Sequence, residues 1–161
     1  MIYSSWAIAP PTEIQSTIKH FRSQVTNLTE MDEVKRYIGV DIKRDRVAHT
    51  NISLSQQPYI EKIIKSNSIP ADSESVPIPM SDTVDYATLG DGSQPLIQDK
   101  VGQFRFLPDR TRPDIATAVG ILGSAAAKPT RAHLRGVNHL AKYLKSTKEM
   151  KLFLIFRRIR Y

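Results

Sequence analysis

Between residues 101 and 147, Pro108, Pro113 and Pro129 cut the chain into three segments whose apolar residues each keep helical spacing. Proline removes a backbone donor and clashes with the preceding turn, so it ends one helix or sits in the first turn of the next. The first segment, from about Pro95 to Leu107, sets Ile97, Val101 and Phe104 on one face and stops at Pro108. The second opens at Pro113 and turns Ile115, Ala118, Val119 and Leu122 inward. The third opens at Pro129-Thr130 with a stripe of Leu134, Val137, Ala141 and Leu144. Three amphipathic stripes in succession predict a mainly helical stretch of chain.

The rest of the chain is mixed. Ile2 to Ala9 is a β-prone run ended by Pro10-Pro11, and Thr12 is placed to cap a helix carrying Ile14, Ile18, Phe21 and Val25, with Glu13 in its first turn. Ile38, Val40 and Ile42 alternate with Tyr37, Gly39 and Asp41, the period of a half-buried strand, and Val47 to Leu54 returns to make a hairpin spanning Arg36 to Leu54. Ser55 is expected to cap a helix running to about Lys65, with Pro58 in its first turn and Ile60, Ile63 and Ile64 facing inward. Between Asp72 and Asp99 stand six acidic residues, no Lys or Arg, and several Pro and Gly, so this stretch reads as loop, with Gly90-Asp91-Gly92 a turn. Leu152 to Phe156 reads as a short strand or an exposed apolar run. The expected class is α+β: short antiparallel strands and one helix in residues 1–54, then a mainly helical part in 55–161.

Charge narrows the partners. The 161 residues hold 23 Lys and Arg against 16 Asp and Glu, a formal net charge of +7, which favours anionic partners, nucleic acid first among them. From Lys128 onward ten basic residues meet one acid, Glu149. Arg131, Arg135, Lys142 and Lys145 fall within about 80° of one another at ~100° per residue, a face that suits phosphates or simply stays wet. Arg112 is placed either to reach a nucleic acid or to brace a loop, whereas Asp114, in the first turn of a helix, is explained by the macrodipole and capping. Gly39 permits close backbone approach or a bulge. Trp6 and Tyr37 have the chemistry to stack on bases, although lone aromatics on apolar strands ordinarily enter the core. His20, His49, His133 and His139 show no metal-ligand spacing and read as surface or capping residues. The absence of cysteine excludes a disulfide framework and any thiolate zinc site. No secretory leader and no run long enough to span a bilayer is visible, so an intracellular protein, cytoplasmic or nuclear and off the membrane, is expected.

Several of these segments together resemble one family. The ordered set Val101-Gly102, Thr111-Arg112-Pro113-Asp114-Ile115, Pro129-Thr130-Arg131-Ala132-His133 and Tyr143-Leu144-Lys145-Ser146-Thr147 resembles the region past the polymerase core in reverse transcriptases of copia-type LTR retrotransposons. Tyr37 to Ile42, Ser53 to Gln56 followed by Tyr59-Ile60, and Val76 to Met80 extend the resemblance over nearly the whole chain. It implies the end of a palm with a primer-gripping hairpin, a helical thumb, and the start of the connection toward RNase H. Implied contacts to an RNA/DNA template-primer are Gly39, Arg112, Arg131, Arg135, Lys142 and Lys145.

Departures from the family pattern shape the functional expectation. The intact family performs RNA-directed DNA synthesis with Mg²⁺ held by a Tyr-x-Asp-Asp hairpin, and here Ser4 and Ser5 stand where the two Asp belong. Neutral hydroxyls do not replace carboxylates on Mg²⁺. The sequence begins at this hairpin and stops before an RNase H carboxylate cluster. Gly123-Ser124 replaces Ser-Arg, and Ser146 replaces a Gly expected at a helix end. The expectation is a truncated, catalytically inactive fragment with no cofactor of its own, retaining at most a grip on nucleic acid and prone to self-association. The alternative is a co-opted interaction protein binding the element's polymerase, itself or RNA. A helix-turn-helix in residues 113–146 is disfavoured by the long connection from Gly123 to Pro129.

Overall fold

The structure, a computed structural model, describes residues 11–24, 34–44 and 51–155. Two compact units divide the chain at Met1–Val34 and Lys35–Tyr161, so the hairpin shares a unit with the helices that follow it. In the first unit, helix α1 (Pro11–Gln24) opens at Pro11, one residue before the expected Thr12 cap, as suits a residue with no N–H to satisfy. Gln15, Ser16, Thr17, Lys19 and His20 form its wet face. The expected strand at residues 2–9, Trp6, Val25, His49 and the side chains of Ile14, Ile18 and Phe21 lie outside the described residues.

The second unit contains a four-stranded antiparallel sheet in the order β1 (Arg36–Tyr37), β2 (Val40–Arg44), β3 (Asn51–Ser55), β4 (Leu152–Ile155). The expected hairpin is present, with Ile42 opposite Leu54 and Arg44 opposite Ile52. Residues 37–42, however, are not one strand. Ile38 and Gly39 both take positive φ, 44° and 73°, and form a two-residue turn between β1 and β2. An Arg36 to Asp41 ion pair of 2.7 Å spans the opposed residues of this tight hairpin. Register places Val40, Ile42, Ile52, Leu54, Leu152 and Leu154 on one sheet face, and Asp41, Lys43, Ser53, Ser55, Phe153 and Ile155 on the other.

The core lies among the helices. Ile60 and Ile63 of α2 (Gln57–Ser66) meet Val101 and Phe104 of α3 (Gln98–Arg105), Ala118, Val119 and Leu122 of α4 (Ala116–Ser124), and Val137, Leu140, Ala141 and Leu144 of α5 (Arg131–Ser146). Each fully buried Leu or Ile of this set contributes on the order of 1.5–3 kcal/mol. Ser55 ends β3 and accepts a hydrogen bond from the Gln57 N–H rather than occupying the cap itself, which falls to Gln56. A single 3₁₀ turn, Pro113–Ile115, leads into α4. Thr130 and His133 close a reciprocal capping box at the start of α5.

The acidic stretch is loop, and it has a definite place. Between α2 and α3 the chain runs back along α5 as a strap. Lys145 Nζ donates to the carbonyls of Pro70 and Ala71 and to Ser73 Oγ. His139 Nε2 lies 2.9 Å from the Ile78 carbonyl, and His133 Nε2 lies 3.0 Å from that of Tyr86. Gly136 leaves room for the Tyr86 ring, since a Cβ there would come within 2.9 Å of Tyr86 Cε1. The strap ends at Gly90, whose N–H donates to Lys128 O at 2.7 Å.

Candidate nucleic-acid interface

The sequence names six residues as candidate contacts, and the structure sorts them into three environments. Arg112 is interior, with a relative exposure of 1%. Its guanidinium forks onto Asp114, Nε to Oδ1 at 2.9 Å and Nη2 to Oδ2 at 2.8 Å, and reaches the end of α5 through Nη1 to Thr147 O and Nη2 to Thr147 Oγ1. Tyr143 donates its hydroxyl to Asp114 Oδ2 at 2.9 Å. Thr111 Oγ1 donates to the buried Gln56 Oε1 at 2.8 Å. Arg112 therefore braces the 3₁₀ turn against α5 and is withdrawn from any accessible contact: the loop-bracing alternative is the one the structure shows. Asp114 is part of the same lock, beyond the helix-start role the sequence suggests. Burial pushes its carboxyl up, but hydrogen bonds from Arg112 and Tyr143 and the Arg112 charge outweigh that and hold it below the ordinary value.

Lys145 is the second withdrawal, because three strap oxygens occupy its ammonium. Arg131, Arg135 and Lys142 are different. Arg131 and Arg135 are exposed and Lys142 half-buried, and among the described residues none of the three side chains has a hydrogen-bond or ion-pair partner. Arg135 and Lys142 line a groove with Asn138, His139, Asn67 and Glu74, the last without pairing to either cation. At 1.5 Å rise per residue the three cations extend over roughly 16 Å of helix, long enough to follow several phosphates.

Gly39, the remaining candidate, is at a hairpin tip instead of inside a strand. Its left-handed backbone is what reverses the chain there. Tyr37, expected in the core, is 64% exposed, and Ile38 is 53% exposed. The expectation failed because alternation continues unbroken across a two-residue turn, so a tip and a strand look alike in sequence.

Ser4 and Ser5 lie outside the described residues. As a donor set for a pair of Mg²⁺ ions two neutral hydroxyls do not fit. Among the described residues no group of three His, Cys, Asp or Glu could hold a metal ion, and no helix is long and apolar enough to cross a membrane.

The similarity of this chain to known proteins defines a class first: its homologues are transposon proteins, among them retrovirus-related Pol polyproteins, at low identity. A Ty5-1 transposon protein of Saccharomyces cerevisiae is 24% identical over 150 residues, covering 89% of this chain and 47% of the yeast protein. The retrovirus-related Pol polyprotein from transposon RE1 of Arabidopsis thaliana is 28% identical over 148 residues, 89% of this chain and 10% of the polyprotein. That from transposon TNT 1-94 of Nicotiana tabacum is 26% identical over 133 residues, 78% of this chain and 10% of its own length. The chain thus spans about half of the yeast relative and a tenth of the plant polyproteins. No protein-family profile and no solved structure matches it.

Proposed function

We propose that this chain corresponds to the end of the palm and the thumb of a copia-type reverse transcriptase, and that it grips an RNA/DNA hybrid through α5 while performing no polymerisation itself. The observation that carries the grip is the row Arg131, Arg135 and Lys142, whose side chains have no partner among the described residues, on one side of a helix whose opposite side is core. Transposon Pol homology supports the enzyme context, and the hydroxyls at Ser4 and Ser5 support the lack of catalysis. Phosphate contacts position such a face without reading sequence, so binding is expected to depend on salt and not on base order. Fluorescence anisotropy of a labelled RNA/DNA hybrid against the protein at several salt concentrations tests this. Affinity that falls with salt in the wild type and weakens in R131A/R135A/K142A is the expected result, and no binding at low ionic strength would remove the proposal.

A second reading, an interaction protein, is favoured by one observation. Among the described residues strand β4 pairs only with β3, and its Phe153, Leu154 and Ile155 are exposed. Sedimentation of the purified chain as a sharp monomer would weigh against self-association through that edge.

A further inference from the structure

Arg110 belongs to none of the contacts above. Its guanidinium carbon lies 4.3 Å from the centroid of the Phe106 ring, and Phe106 meets Tyr59 edge-on with centroids 5.0 Å apart. The Gly39 turn is seated on the same ring: a Cβ at Gly39 would lie 3.4 Å from Phe106 Cε1. Two energetic costs collect on this patch. The Nε of Arg110 is buried without a hydrogen-bond partner, and no acid among the described residues pairs with the guanidinium. An unsatisfied buried donor costs on the order of 1–3 kcal/mol. Beside it Ile38, β-branched, is held at a φ of 44°, a left-handed conformation that costs roughly 1–2 kcal/mol for a residue with a Cβ. Strain persisting at an exposed tip points to a role for what the tip presents.

What it presents is an exposed tyrosine two residues before the glycine seated on the Phe106 ring, with the Arg110 guanidinium lying over that same ring. We propose that Tyr37 and Arg110 form a contact for an unpaired nucleotide, with the Tyr37 ring stacking on its base and the Arg110 guanidinium donating to its phosphate. The guanidinium plane, fixed by Phe106 before any ligand arrives, loses little freedom on binding. Phosphate would engage the terminal nitrogens of a guanidinium that has no acidic partner among the described residues. The contact rests on the nucleic-acid reading above but uses none of the α5 cations.

Anisotropy titrations with a blunt RNA/DNA hybrid and with hybrids carrying a short dT or rU overhang separate the two. For the wild type the overhang should tighten binding about tenfold, the size of one base–aromatic stack, and equally for dT and rU. Y37A, at the exposed tip, and R110K, which keeps the charge but loses the planar stack, should abolish that gain while binding the blunt hybrid within about twofold of wild type. R135A/K142A should weaken both hybrids alike. The proposal is overturned if the overhang gives no gain, if the gain survives in Y37A and R110K, or if it appears with rU alone, which would assign it to the 2′-hydroxyl. A wild type that binds neither hybrid removes the nucleic-acid reading and this contact with it.

Discussion

Truncating Arg112 to Ala would leave the Asp114 carboxylate without its fork and the end of α5 without two hydrogen bonds. Breaking a largely buried pair of this kind costs about 3 kcal/mol, seen as a lower urea midpoint at unchanged slope. Arg112→Lys should recover only part of the loss, because an ammonium cannot fork. Asp114 adds a pH dependence whose sign is fixed. Its carboxyl is held below the ordinary 3.8 in the folded state, so the stabilisation is complete above that value and is lost as pH falls through the lower native one. The stability gap between wild type and Asp114→Asn should therefore narrow on acidification from about pH 6 to about pH 3 in thermal melts; a gap that widens would show that the carboxyl is not held down. At this scale the sequence exposes the residues but not their roles. The Thr-Arg-Pro-Asp and Tyr-Leu-Lys-Ser-Thr segments stand out as motifs, yet that they meet in one network is a fact of tertiary packing across 35 residues.

Elements were legible in proportion to how local their causes are. Helices α2 to α5 follow from proline starts and apolar spacing, and α5 carries a capping box readable in Pro129-Thr130 to His133. The Ile38-Gly39 turn was hidden, because Ile is a poor residue for a left-handed position and the apolar alternation points to a strand. That misfit gives a prediction: Ile38→Gly should stabilise the protein by up to about 1 kcal/mol in a thermal melt, and a loss of stability would contradict the strain. The strap was legible as loop but not as a cover for α5, since its bonds to Lys145, His139 and His133 run through backbone carbonyls that sequence does not mark. Gly136→Ala should push the Tyr86 ring and Leu122 aside, cost roughly 1–3 kcal/mol, and speed proteolysis within residues 67–90 before the helices are cut. Uniform cleavage would mean that the strap is not separately held there. Ser146, which replaces an expected helix-ending glycine, needs no special backbone: the helix ends on Thr147 at a φ of −114°, and Ser146 Oγ donates to the Tyr143 carbonyl.

Across the whole molecule the positive charge is less available than its count implies. Two of the five cations proposed from the sequence as contacts, Arg112 and Lys145, hold the fold together, which leaves Arg131, Arg135 and Lys142 on the accessible side of α5. The sequence gives no sign of this division, because a lysine bound by backbone carbonyls and a lysine in water look the same in one dimension. Three phosphate contacts set a slope of log affinity against log salt of about −2.7, or roughly a 40-fold loss between 50 and 200 mM. The most direct measurement is that slope for an RNA/DNA hybrid, taken for wild type and for R131A/R135A/K142A. The account predicts a slope of about −2.7 or steeper that becomes shallower by about that amount in the triple variant. A wild-type slope near zero, or one unchanged by the three substitutions, would contradict it.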